Sequence, residues 1–138
     1  MGIYWINDNI QLLTSLKFFQ GDADKWNRRA MLSWWFALLF NLVQHIREFI
    51  QASSQLEYYK SEVRSKPEKK EAFKDQFEKT KADKTAAVIN IIKTLGDLLP
   101  STKGSGMADR LGLKFIDDFW CGLGGSVSAA IFLWQTYK

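Results

Sequence analysis

The 138 residues include one histidine, one cysteine and two prolines. With His45 alone, no catalytic or metal constellation can be built on imidazoles, and hydrogen bonding along a helix seam is its expected role. Cys121 has no partner for an internal disulfide and, lying inside an apolar stretch, reads as a buried, inert thiol. No Gly-rich loop joins a strand to a helix. Asp117 and Asp118 are adjacent, so on a helix they point in different directions and form no acid–base pair. No enzyme, no cofactor and no metal are therefore expected. The positive charge is not concentrated either: residues 1–30, 31–84 and 85–138 carry +1, +2 and +1, which together give the net charge of +4. A nucleic-acid binder gathers its excess charge on one face, so no nucleic-acid partner is expected. The opening lacks a basic region and a small-residue cleavage site, which argues against a secretory signal. Gly2 would suit myristoylation, but Ile6 stands where Ser or Thr is required.

Two windows are free of charge. The first to consider is Phe119 to Tyr137, FWCGLGGSVSAAIFLWQTY, with no Asp, Glu, Lys or Arg. As a helix it has a small face of Gly122, Ser126 and Ala130, with Gly125 and Ala129 beside them. Trp120, Leu123, Val127, Ile131 and Trp134 make the bulky face. The small face suits close approach of two helices, as in small-xxx-small membrane pairs. Trp120 and Trp134 would stand about 21 Å apart at 1.5 Å per residue, a spacing that suits an aromatic belt at two interfaces. A buried helix of a soluble bundle is the alternative. Each glycine costs roughly 1 kcal/mol against alanine in a helix interior, so Gly122, Gly124 and Gly125 need a packing reason in either case.

The second window, residues 30–46, lies between Arg29 and Arg47 and includes Trp34, Trp35, Phe36 and Leu39. Seventeen residues reach only about 25 Å, short of a hydrocarbon core of about 30 Å. The window is apolar nearly all round, with a thin polar seam of Ser33, Asn41, Gln44 and His45. Such a helix is either buried in protein or dipped in lipid.

Two further segments are amphipathic. Residues 3–19 gather Trp5, Ile6, Ile10, Leu13 and Leu16 on one face, interrupted as a span by Asp8 and Lys17. Asp22 or Asp24 is available to cap the helix that follows. Residues 85–99 carry an apolar stripe of Val88, Ile91, Ile92, Leu95, Leu98 and Leu99, with Asn90, Lys93, Thr94 and Asp97 opposite and Pro100 expected to end the helix. Between them, about 64–84 reads as a charged, solvated connector in which Pro67 restarts the chain; a partner-binding surface is the sharper reading. About 100–109 reads as a flexible loop, and the last helix is expected to begin near Leu111.

The order of these pieces resembles the C-terminal half of the Pex11 family of peroxisomal membrane proteins. The segments that carry the resemblance are Tyr4 to Ile10 (YWINDNI), Ile91 to Pro100 (IIKTLGDLLP) and Gly122 to Trp134. The similarity covers most of the chain, through loose apolar motifs. It implies a protein of the peroxisomal or glycosomal membrane that elongates, divides and proliferates the organelle. The lipid bilayer, further copies of the chain and organelle fission proteins would be its partners. Family members carry an amphipathic remodelling region ahead of the part seen here, and this chain is expected to start after it. The family brings no enzymatic residues.

The expected fold is thus all-α, a membrane-associated bundle of four to five helices forming one domain. Two helices, 30–46 and 119–137, are apolar enough to enter the bilayer, the latter as a candidate transmembrane helix. Two, 3–19 and 85–99, are amphipathic. A pore for small metabolites and a soluble helical adaptor are the competing classes.

Overall fold

The helical periods read from the sequence are realised without a strand among the described residues. The computed structural model describes residues 2–17 and 22–137, at 2–5 and 69 the backbone alone. Its elements are α1 (Gly2–Ser15), α2 (Ala23–Ser65), a 3-10 turn (Pro67–Lys69), α3 (Lys70–Gly104), α4 (Met107–Arg110) and α5 (Asp118–Thr136). The helix expected over 3–19 is α1, which gives way to a turn where Lys17 adopts a φ of 60°. Residues 18 and 19 of that expectation lie outside the described residues. Asp22 caps α2: its Oδ1 accepts from the backbone N–H groups of Asp24 and Lys25 at 3.0 and 3.3 Å. The window 30–46 is one part of this 43-residue helix.

Only Lys66 separates α2 from the 3-10 turn. Proline disfavours helical geometry in the residue before it, and Lys66 accordingly leaves the helical region, at φ −137° and ψ 83°, while Pro67 restarts the chain. Most of the stretch read as a connector, from Lys70 onward, is helix. Pro100 does not end α3, contrary to expectation. A proline in a helix interior removes the N–H that would bond the carbonyl four residues back, here that of Gly96. The hydroxyls of Ser101 and Thr102 both donate to the Leu98 carbonyl, and the helix continues to Gly104. Gly106 then takes a φ of 75° and turns the chain into α4. The stretch read as a flexible loop is therefore largely helical. The last helix starts at Asp118 rather than near Leu111, because Asp117 caps it by accepting from the N–H of Trp120.

The chain divides into two compact units, residues 1–41 with 93–138, and residues 42–92. In the first, α1, the start of α2, the end of α3, α4 and α5 meet on a core with few large side chains. Leu38 and Ile116 are buried alongside Ala30 and Ala108, and so are Thr14, Thr94, Ser101, Thr102, Ser105 and Ser128. The second is a two-helix hairpin closed at the 3-10 turn, with Ala52, Leu56, Thr80 and Ala87 buried.

Among the described residues no helix is long and apolar enough to cross a membrane, which corrects the expectation of a transmembrane helix. Residues 30–46 are too few, and arginines bound them. The 19 residues of α5 include Asp118, Gln135, three glycines and two serines, which dilute Leu123, Val127, Ile131 and Leu133.

Candidate functional site

The first unit carries a close crossing of α3 and α5 and an apolar outer surface. The crossing is made by glycines. A Cβ built on Gly124 would lie 2.6 Å from the Gly96 carbonyl oxygen and 2.8 Å from Leu99 Cδ1; one built on Gly96 would lie 2.6 Å from the Gly124 oxygen. Each glycine Cα–H therefore points at the other's carbonyl, the arrangement of weak C–H···O contacts at helix crossings. The Gly96 carbonyl is the one that Pro100 leaves without its helical donor, so the crossing meets a backbone oxygen with spare acceptor capacity. Ser128, one turn beyond Gly124, is buried against the same helix.

Around the crossing, polar groups are held locally. Trp35 Nε1 donates to Thr102 Oγ1 at 2.9 Å, tying α2 to α3. Lys103 Nζ pairs with Asp118 at the start of α5, and this contact raises the lysine's pKa. The Cys121 thiol contacts the Leu99 carbonyl at 3.6 Å. Burial pushes its pKa up, so the thiolate is disfavoured.

The residues of the expected small face lie elsewhere. Gly122, Ser126, Ala129 and Ala130 are exposed, and Gly125 is half-buried. A Cβ on Gly122 or Gly125 would meet nothing within 4 Å. The line Gly124–Ser128 stands two residues, or about 200°, around the helix from the line Gly122–Ser126–Ala130.

Of the residues read as membrane-contacting, Phe36, Trp120, Leu123, Val127 and Trp134 are exposed, and Trp34, Trp35, Leu39 and Ile131 are half-buried. On the face expected for α1, Ile6, Leu13 and Leu16 are exposed and Ile10 is half-buried; the side chain of Trp5 lies outside the described residues. Phe40, Phe115, Phe119, Phe132 and Leu133, not singled out in the sequence, are exposed as well. The ammonium of Lys93 sits 4.9 Å over the ring of Phe132. His45 bonds along its seam, to Glu48 one turn on, at 3.0 Å, and Gln44 donates to the same carboxylate. Hydrogen bonds from His45 and Gln44 hold the Glu48 carboxyl below its ordinary pKa.

The outcome is a reversed amphipathicity. Along α3 the buried positions Thr80, Ala87, Thr94 and Ser101 recur every seven residues, while Val88, Ile92 and Leu95 are exposed. Thr94, read as part of the polar outer face, is inside; half of the apolar stripe is outside. The missed signal was a heptad of small residues, which gives the same seam period as an apolar heptad with less volume.

The chain matches the family model for peroxisomal biogenesis factor 11 (PEX11) over residues 1–137. No curated protein and no solved structure matches it.

Proposed function

This chain belongs to the peroxisomal biogenesis factor 11 family, and on that premise we propose that it works by lying in the interface of the peroxisomal membrane. The family supports a broad role in peroxisome proliferation and an association with that organelle; it is a family of biogenesis factors, not a known enzyme family. The finer reading is that α1 and α5 insert their outward side chains among the lipid headgroups, expand one leaflet and so favour elongation and division. Further copies of the chain and proteins of the division machinery would assemble on the inserted protein.

The observation that carries this reading is the placement of large apolar side chains outside and small or hydroxyl side chains inside. Phe119 is 68% exposed, Phe115 63% and Ile6 61%, whereas Ser101 is 0% and Thr94 5%. In water this costs stability; against lipid, which is as apolar as leucine, it does not. Each such side chain moved from water into the acyl boundary contributes on the order of 1 kcal/mol, and binding of an interfacial helix scales with that area. A helix that lies along the interface needs an apolar face but not a spanning length, which suits helices too short or too diluted to cross.

Flotation of the purified full chain with phosphatidylcholine vesicles tests the reading. Wild-type protein should float, and Phe119→Ser with Leu123→Ser and Leu133→Ser should leave it largely in the dense fraction with its helix content kept. Equal flotation of both proteins, or of neither, would contradict it.

A further inference from the structure

We infer that the turn of the 42–92 hairpin is a docking site for an acidic, amphipathic peptide segment of a partner protein. It extends the reading above, in which division proteins assemble on the membrane-bound chain, by naming where one of them would bind and with what chemistry. The observation is an open cleft of about 760 Å³ between the end of α2 and the start of α3. Ligand sites commonly fall between about 300 and 1,000 Å³, and an apolar floor with a few polar groups around it is their usual make-up. Here the floor is Tyr59, Val63, Phe73 and Phe77, all half-buried. Tyr59 and Phe73 hold each other, ring centroids 5.5 Å apart.

Charge selects the occupant. Lys60, Arg64, Lys70 and Lys74 stand around the cleft against Glu71 and Glu78, four cations to two anions. Glu71 is 3.7 Å from Lys74, so part of the acidic charge is already matched within the rim. An occupant with two or more carboxylates flanking aliphatic or aromatic anchors would fill the floor and balance the rim. The surroundings favour a protein segment over a bilayer. The exposed large apolar side chains of this unit are Val43, Ile46, Ile50, Tyr58, Val88 and Ile92, and among the described residues none lies between 60 and 84. The apolar outer surface thus stops where the cleft begins. Among residues 60–84 the sequence carries lysine, arginine, aspartate and glutamate at short intervals, a composition that stays in water. An amphipathic helix laid in a groove is a common mode of peptide recognition, read by anchors at i, i+3 or i+4 and i+7.

The test uses the full chain in detergent micelles and, as probe, a synthetic helical peptide with leucines at i, i+3 and i+7 and glutamates elsewhere. A second peptide has lysine in place of every glutamate. Saturable binding of the acidic peptide is expected, with little binding of the lysine peptide. Lys60→Glu with Arg64→Glu and Lys70→Glu, all at exposed positions, should weaken the acidic peptide at least about tenfold, and added salt should weaken wild-type binding in the same direction. Phe77→Ala should weaken it at unchanged helix content. Equal binding of both peptides, no saturable binding, or an unaffected triple variant would overturn the inference. So would an absence of peptide binding while the same three cations drive binding to phosphatidylserine vesicles. The triple variant should still float with phosphatidylcholine vesicles, because the apolar surface is untouched; loss of flotation by wild-type protein would sink the membrane reading separately.

Discussion

Replacing Gly124 by alanine adds one methyl group at the crossing of α3 and α5, and its cost follows from three distances. The new Cβ would lie 2.6 Å from the Gly96 oxygen, 2.8 Å from Leu99 Cδ1 and 3.4 Å from the Gly96 carbonyl carbon. Leu99 can turn away, but the carbonyl belongs to a helix and cannot, so α3 and α5 must separate. Forcing an extra methylene into a packed site costs about 1–3 kcal/mol, and a clash with backbone belongs at the upper end. Alanine also gains about 1 kcal/mol over glycine in a helix interior. Gly122→Ala gains the same propensity on the same helix and meets nothing within 4 Å. The propensity gain therefore cancels between the two variants, and their difference isolates the clash at about 3 kcal/mol. At roughly 3–4 °C per kcal/mol for a chain of this size, that is a separation in Tm of about 10 °C. Gly124→Ala should melt below wild type and Gly122→Ala slightly above it. The assay is thermal unfolding followed by circular dichroism in one detergent. If both variants shifted upward together, the close crossing would not exist in solution, and the part assigned to Gly96 would fall with it.

Three other outcomes follow from single contacts. Trp35→Phe removes the N–H that reaches Thr102 and should destabilise the protein by about 1 kcal/mol in urea unfolding, whereas loss of nothing measurable would mean the bond is not formed. Asp117→Ala removes the cap of α5 and should cost about 1 kcal/mol, with Asp117→Asn retaining most of it. Glu48 has its folded pKa lowered by His45 and Gln44, so its contribution is present above the ordinary glutamate pKa and is lost as the pH falls through and below that value. Glu48→Gln should flatten that acid limb of a stability–pH profile, and an unchanged limb would assign the acid sensitivity elsewhere.

Helix content and order were legible because the periods are long and Pro67 is a clear restart signal; the caps were less so, since Asp22 and Asp24 competed for one and Asp117 went unread for another. What the sequence left open was the direction each face turns. An apolar stripe such as Val88–Ile92–Leu95 marks the core of a water-soluble helix, but the same stripe faces outward where the surroundings are apolar. Periodicity is identical in the two cases. The small residues Thr80, Ala87, Thr94 and Ser101 carry the compensating signal at seven-residue spacing, and it is faint because threonine and serine read as polar. Gly122, Gly124 and Gly125 show why the crossing was hidden: all three permit close approach, and only the position of Gly96 on another helix selects Gly124. Pro100 misled for a related reason. A proline costs a helix one hydrogen bond, and whether the helix survives depends on the hydroxyls and neighbours around it, which lie outside any local pattern.

The central claim is that α5 rests along the membrane interface instead of crossing it. Depth-dependent quenching tests this directly, with a fluorophore on a single cysteine at Trp120, Val127 or Trp134 in a Cys121→Ser background and vesicles carrying brominated lipids at known depths. An interfacial helix gives similar, shallow depths at all three positions, within about 5–10 Å of the headgroups. A deep maximum at Val127 with both ends at opposite surfaces would contradict the account, as would the absence of quenching at every position.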